Sequence, residues 1–307
     1  MITCLGLSPA LDVTYGVPTV TLGGIHRPEW KVALPGGKSL NVARAAQLLG
    51  AEVHAITPLG GAVGDDIEAA LAAADVPVTR IDTGIATRMC VSVVAESDGG
   101  ITEFYEHAPA IVDEVWDEVL SALEWIAIGW LVVSGSVPPG REPGLAAALA
   151  AASDRGVRLA LDLRGEALAA ALAETPVELI KVNRAEAEEA VGPGALTELA
   201  TRLRSLGAAR AVVTDGASGS VAVDDADSWA VDPVQAGGYT VGAGDSFLAG
   251  LLHGLDQTGE LPDALRLAAG AAAANTLRPG AAVFDAEEAM ALADRVLVRR
   301  GSEAAIG

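Results

Sequence analysis

Apolar positions along the chain follow two alternating rhythms. Short continuous apolar runs read as buried strands: Ile2 to Leu7, Val53 to Pro58, Ile126 to Ser134, Arg158 to Leu163, Leu179 to Val182 and Ala211 to Thr214. Between them, apolar residues return every third or fourth position. After Gly36-Gly37, the residues Leu40, Val42, Ala43, Ala46 and Leu49 form one helical face that stops at Gly50. Asp65 to Ala74, Leu145 to Ala152 and a segment beginning at Arg184 repeat this pattern. Strands alternating with helices predict an α/β fold, a three-layer sandwich whose mostly parallel central sheet is covered by helices. Several strands end on polar residues, Ser134, Asp162, Asn183 and Thr214, at the edge where open α/β sheets bind ligands.

Two stretches break the rhythm. Asp12 to Ala33 and Arg88 to Tyr105 are rich in Thr, Val and Gly and lack helical periodicity, and the second turns at Gly99-Gly100 like a hairpin. They predict a small β-strand lid inserted at about 12–31 and 88–107 into a single α/β domain spanning 1–307, with an ordinary edge hairpin as the alternative.

Composition refines this picture. The 307 residues are 51% hydrophobic but only 4% aromatic, so Ala, Val and Leu must fill the core. Alanine-rich stretches such as Ala146 to Ala152 and Ala268 to Ala274 suit helices lying close to a sheet. The formal charge of −21 opposes nucleic acid or an anionic membrane as partner, since both require a cationic face. A phosphorylated ligand would need a local cation cluster working against that field. Cys4 and Cys90 sit in strand-like runs without metal-ligand spacing and read as small core residues. The N-terminus has no cationic region followed by a long apolar one, and a cytoplasmic protein is expected.

The chemistry concentrates in two glycine-rich helix starts. In Thr240-Val241-Gly242-Ala243-Gly244-Asp245, small residues precede an apolar-periodic helix. Free amides at such a start point at an anion, and a carboxylate there can take a proton from an attacking hydroxyl. Taken alone, the segment reads equally as an Asp cap on a helix entered through a turn. In Pro35-Gly36-Gly37-Lys38-Ser39-Leu40-Asn41, Lys38 and Asn41 are candidate donors to hydroxyls or phosphate, although the P-loop spacing is absent.

Six collinear segments carry a resemblance over essentially the whole chain. They are Ser8 to Asp12, Gly36 to Gly50, Ser134 to Gly140, Lys181 to Glu186, Thr214 to Gly219 and Thr240 to Asp245. Together they resemble the phosphofructokinase B family of carbohydrate kinases, within the ribokinase-like superfamily. The Asp12 segment and Gly36-Gly37-Lys38 look most like the branch of 1-phosphofructokinase and tagatose-6-phosphate kinase.

The resemblance implies roles at the matching positions. Asp245 would be the catalytic base, with the amides of Gly242, Ala243 and Gly244 as anion hole. Asp12, Gly36, Gly37, Asn41 and Ser136 would bind the sugar, with Lys38 and Arg88 on a phosphate it already carries. Arg27 is a third cation, read more readily as a surface residue. Lys181, Asn183, Thr214, Gly216, Gly219 and Asn275 would form the nucleotide site. Asn183 and Glu186 would position Mg²⁺ through water, although the same spacing makes a helix capping box. ATP and Mg²⁺ are the implied cofactors, with room for a monovalent cation, and a homodimer through the lid is the implied assembly.

The chain departs from the family at Ser8, where Asn is usual, and at Ser39, where Gly is frequent and a hydroxyl could alter which sugar fits. Asp215 puts a carboxylate beside the nucleotide loop. Three readings compete: a kinase of a sugar phosphate, a kinase of an unphosphorylated sugar, polyol or nucleoside, and a non-catalytic ligand-binding protein. Intact Asp245, Gly242-Ala243-Gly244, Asn183 and Glu186 argue against the third.

Overall fold

The computed structural model describes residues 1–234 and 236–301. The expected single unit therefore ends outside the described residues, at 302–307. Ten strands form the main sheet. In chain order they are β1 (Ile2–Leu5), β4 (Val53–Leu59), β5 (Val78–Asp82), β8 (Trp130–Ser134), β9 (Arg158–Asp162), β10 (Val177–Asn183), β11 (Ala208–Thr214), β12 (Ser220–Val223), β13 (Ser228–Val231) and β14 (Val298–Arg300). Four others, β2 (Ala10–Val17), β3 (Trp30–Gly36), β6 (Arg88–Ala95) and β7 (Ile101–Tyr105), form a second sheet.

The helices are α1 (Lys38–Leu48), α2 (Gly61–Ala73), α3 (Asp113–Glu124), α4 (Glu142–Asp154), α5 (Gly165–Glu174), α6 (Arg184–Val191), α7 (Leu196–Ser205), α8 (Ala243–Thr258), α9 (Leu261–Asn275) and α10 (Ala286–Ala293). Among the described residues no helix is long and apolar enough to cross a membrane.

The main sheet runs β14-β13-β12-β11-β10-β9-β8-β1-β4-β5. Its seven strands from β5 to β11 are parallel, and β12, β13 and β14 add an antiparallel edge. Strands covered on both faces read as continuous apolar runs, and successive side chains sort into two cores. Trp130 and Val132 enter the core under α1, α2, α8, α9 and α10, while Leu131 and Val133 enter the one under α3 to α7. This is the expected three-layer arrangement.

The second sheet has the order β3-β2-β6-β7, with β2 and β6 parallel and the outer pairs antiparallel. The Gly99-Gly100 hairpin is present, joining β6 to β7. The strands extend beyond the expected 12–31 segment, because β2 begins at Ala10 and β3 continues to Gly36, directly into α1. Residues 18–29 between them form no regular strand. The strand expected from Ile126 starts at Trp130, since Trp125 and Ile128 are exposed and Gly129 turns the chain with φ 88°.

Candidate active site

Parallel pairing aligns strand ends. Ser134 on β8 is in register with Asp162 on β9, and Asn183 on β10 with Thr214 on β11. These polar ends form one edge, and α1 and α8 begin beside it. The α8 turn is possible because Gly242 adopts φ 78° and packs against the backbone of Ala281, whose Cα would lie 2.6 Å from any added Cβ. The last residue of β3, Gly36, also has no room for a side chain: a Cβ there would fall on the carboxylate of Asp12.

Asp245 sits in the first turn of α8 and is only 7% exposed. Asn41 on α1 donates its carboxamide N–H to Asp245 Oδ2 at 2.8 Å. Burial, reinforced by the nearby Asp162 charge, pushes the Asp245 carboxyl up to about 7, although Lys181, Asn41 and Lys38 pull it back. A carboxylate tuned to this range has the proton affinity suited to a general base. The N–H of Ala243 donates to Thr240 O at 3.2 Å, so of the three expected anion-hole amides this one is satisfied within the turn.

Beside Asp245 lies a chain of alternating charges. Asp162, 1% exposed, accepts from Lys38 Nζ at 2.9 Å and from Lys181 Nζ at 3.0 Å. Burial would raise the Asp162 carboxyl, but Lys181 and Lys38 override it and hold the group below its ordinary range. Lys38 also donates to Glu186 Oε1 at 3.0 Å. Burial would lower its ammonium, but Asp162 and Glu186 prevail and raise it. Lys38 is therefore not a free cation awaiting phosphate: two carboxylates hold it. Asp162, which anchors the whole chain, could be seen in the sequence only as an acid ending a strand at the ligand-binding edge.

Two cavities flank this charge chain. One, of about 340 Å³, is lined by Ser8, Asp12, Gly37, Asn41, Arg88 and Ser136 among others. The other, of about 490 Å³, takes in Lys181, Asn183, Thr214, Gly216, Gly219 and an apolar wall that includes Val231 and Ala273. Lys38, Gly242 and Asp245 line both. The fold thus brings almost every expected residue to the two cavities, although Glu186, expected beside the nucleotide with Asn183, lines the first cavity and not the second.

The exceptions have physical reasons. Gly36 makes space for Asp12 behind the first cavity. Asn275 is fully buried and does not line the second cavity; it accepts from Ala282 N at 2.7 Å and Ser246 Oγ at 3.2 Å and donates to Val241 O at 2.8 Å. It braces the turn before α8. Arg27 is exposed in the 18–29 segment and lines neither cavity. Ser39 lines the first cavity but is buried, and its hydroxyl is engaged by the sheet, donating to Leu5 O at 2.6 Å and lying 2.9 Å from Ser134 O. Asp215 is neutralised by Arg184 Nε at 2.9 Å.

In the first cavity, the Arg88 guanidinium donates to Ser8 Oγ at 3.0 Å, Ser8 O at 3.2 Å and Glu106 O at 2.9 Å. The departure at position 8 thus supplies a partner for Arg88. Burial pushes the Asp12 carboxyl up to about 6 against the pull of Arg88 and Arg44. The second carboxamide atom of Asn41, Oδ1, is buried without a partner and can accept from a hydroxyl.

Asn183 and Glu186 form the capping box of α6. Glu186 N donates to Asn183 Oδ1 at 2.9 Å, and Asn183 N to Glu186 Oε2 at 3.0 Å. Among the described residues no group of three His, Cys, Asp or Glu side chains forms a metal cage. Mg²⁺ on a nucleotide needs only one or two carboxylates besides phosphate and water; the oxygens of Asp162 and Glu186 are taken up by Lys38, Lys181 and Asn183 N, which leaves contact through water.

Two cavities meeting at a buried carboxylate on a helix N-terminus suit transfer between two small molecules, and the family and relatives of the chain make it a phosphotransferase that acts on an alcohol group. The chain belongs to the pfkB family of carbohydrate kinases, whose family model matches residues 21–289. It is 34% identical to the ATP-dependent 6-phosphofructokinase isozyme 2 of Escherichia coli, covering 90% of this chain and 92% of that protein. It is 32% identical to 1-phosphofructokinase of Rhodobacter capsulatus, covering 87% of each. The structure of Escherichia coli phosphofructokinase-2 in complex with potassium superimposes with a TM-score of 0.89 at 32% identity, covering 96% of this chain and 98% of that one. The fold is ribokinase-like, the α/β arrangement expected from the alternation of strands and helices.

Proposed function

We propose that this enzyme transfers the γ-phosphoryl group of ATP to a free hydroxyl of a ketohexose phosphate. The observation that carries the proposal is the position of Asp245, on the wall shared by a polar cavity and a larger, partly apolar one. The sugar occupies the polar cavity, with Asp12 and Asn41 Oδ1 accepting from its hydroxyls. The nucleotide occupies the other, its phosphates directed at the start of α8 by Lys181 and the free amides of the first turn. Asp245 accepts the proton of the attacking hydroxyl, and the helix N-terminus stabilises charge on the transferring group. Mg²⁺ bound to the phosphates would be positioned by Asn183 and Glu186 through water and would neutralise developing charge. Potassium, in complex with the related Escherichia coli phosphofructokinase-2, is the candidate monovalent activator.

The four-stranded sheet acts as a lid whose closure excludes water from the reaction. Its outer strand β7 exposes Ile101 and Tyr105 on one face and Phe104 on the other, and as an unpaired edge with apolar side chains it suits pairing with a second copy.

One observation favours a second reading. Both cations expected to hold an acceptor phosphate are engaged within the protein, Lys38 by two carboxylates and Arg88 by Ser8 and Glu106. An unphosphorylated sugar, polyol or nucleoside would leave those pairs undisturbed. The deciding experiment measures ADP release with MgATP over fructose 6-phosphate, fructose 1-phosphate, tagatose 6-phosphate, free sugars and nucleosides, with Asp245→Asn as control. Turnover of a ketohexose phosphate is expected. Rapid turnover confined to an unphosphorylated acceptor would establish the second reading.

A further inference from the structure

Arg44 is a buried arginine that neither cavity uses. It lies two turns into α1, three residues beyond Asn41, so the two side chains share a helix face. Helical side chains lean toward the N-terminus, and this one reaches back along α1 to the segment that enters the helix. Its Nη1 donates to Pro35 O at 3.2 Å and to Ala281 O at 3.0 Å, and its Nη2 donates to Ala282 O at 3.1 Å. Pro35 immediately precedes Gly36-Gly37 at the sugar cavity. Ala281 and Ala282 form the backbone on which Gly242 packs at the start of α8.

The 281–282 turn is itself unusual. Ala282 holds φ 52°, a left-handed conformation that costs a residue with a Cβ of order 1–3 kcal/mol and persists only where its surroundings enforce it. Arg44 holds the carbonyl side of this turn. Asn275 holds its amide side and also grips Val241 O, one residue before Gly242. A continuous set of polar contacts therefore runs from Pro35 through Arg44 to the 281–282 turn, and through Asn275 to the anion-hole segment.

We propose that Arg44 is a positioning residue that sets the separation between the acceptor hydroxyl and the transferring phosphoryl group by tying the Pro35–Gly37 segment to the 281–282 turn under Gly242. The inference rests on the assignment of the two cavities above. Only a guanidinium suits this place: two of its nitrogens reach three carbonyls on two separate segments, a spread that a lysine ammonium cannot span. Binding of each substrate draws on its own half of the site, whereas transfer needs the two halves in register. A misplacement of about 1 Å costs on the order of a hundredfold in rate.

The experiment compares wild-type enzyme with Arg44→Ala and Arg44→Lys, at temperatures below each variant's melting point, on whichever acceptor the wild type turns over. Wild-type turnover tests the functional assignment itself, and the variants test Arg44. We expect kcat to fall about a hundredfold in both variants, with KM for MgATP nearly unchanged and KM for the acceptor raised only in Arg44→Ala, which also removes a positive charge that acts on Asp12. Guanidinium at tens of millimolar should restore most of the Arg44→Ala loss, while sodium chloride at equal ionic strength should not. A kcat equal to wild type in a folded variant, a loss confined to one KM, or a loss in folded Arg44→Ala that guanidinium leaves unchanged would each overturn the proposal. If Arg44→Ala does not fold, the kcat and KM values of Arg44→Lys decide the matter alone.

Discussion

Asn41 and Asp245, 204 residues apart in sequence, are joined by a 2.8 Å hydrogen bond between the first turns of two helices. The bond orients the carboxylate and uses the donor half of the carboxamide, leaving the buried acceptor half of Asn41 without a partner. Asp245→Asn keeps the shape of the site but removes its proton acceptor. We expect kcat to fall by about 10²–10⁴-fold, the usual contribution of a general base, with ATP affinity retained. Steady-state kinetics together with calorimetric titration of ATP check both parts, and near-normal turnover would remove Asp245 as the base.

The raised Asp245 carboxyl has two pH consequences. As a base it must be ionised, so kcat/KM for the acceptor should fall about tenfold per pH unit below about 7. The effect on stability has the opposite direction. A carboxyl raised in the folded state favours folding while it is neutral. That contribution is complete below the ordinary Asp value of about 3.9 and is lost as pH rises through about 7. Asp245→Asn should therefore gain melting temperature over the wild type at pH 8 and gain little at pH 4. An equal difference at both pH values would show that Asp245 titrates normally.

Removing Lys181 leaves Asp162 buried with Lys38 as its remaining partner. Lys181→Met should cost about 3–5 kcal/mol of stability, the usual penalty for breaking a buried pair. It also removes a positive charge that lowers the Asp245 carboxyl, so the acid limb of the pH–rate profile should move to higher pH. Denaturant unfolding and a pH–rate series test the two effects separately.

Gly36→Ala introduces a methyl group where the Asp12 carboxylate lies. Displacing Asp12 removes a charged acceptor from the sugar cavity, so KM for the acceptor should rise about tenfold or more. KM for MgATP should remain near the wild-type value, since the second cavity is untouched. A proportional rise in both would mean that the substitution disturbs the whole site.

If the lids of two copies pair through β7, Phe104→Asp should shift the protein from dimer to monomer in sedimentation velocity. Phe104 is 63% exposed in the single chain, so its replacement leaves the fold intact. A wild-type protein that sediments as a monomer at micromolar concentration would remove this assembly.

The sequence by itself determined every feature that rests on local pattern. Apolar runs of four to eight residues between helical faces imply a parallel sheet with two covered faces, because only such strands bury both rows of side chains. Glycines before Lys38 and Ala243 mark helix starts where the backbone adopts φ values that other residues rarely take, and the spacing from Gly242 puts the Asp245 carboxylate in the first turn. Tertiary structure decided the partnerships. Lys38 looked like a free cation for phosphate, yet Asp162 and Glu186 bind it. Asn275 looked like a nucleotide ligand, yet it braces Ala282 and Val241. Arg44 carried no signal on its helix, yet it joins Pro35 to residues more than 230 positions away. A local pattern reports which face of an element is buried. Which charged or polar group meets another inside that buried space depends on how the sheet aligns distant strand ends, and no local spacing records it.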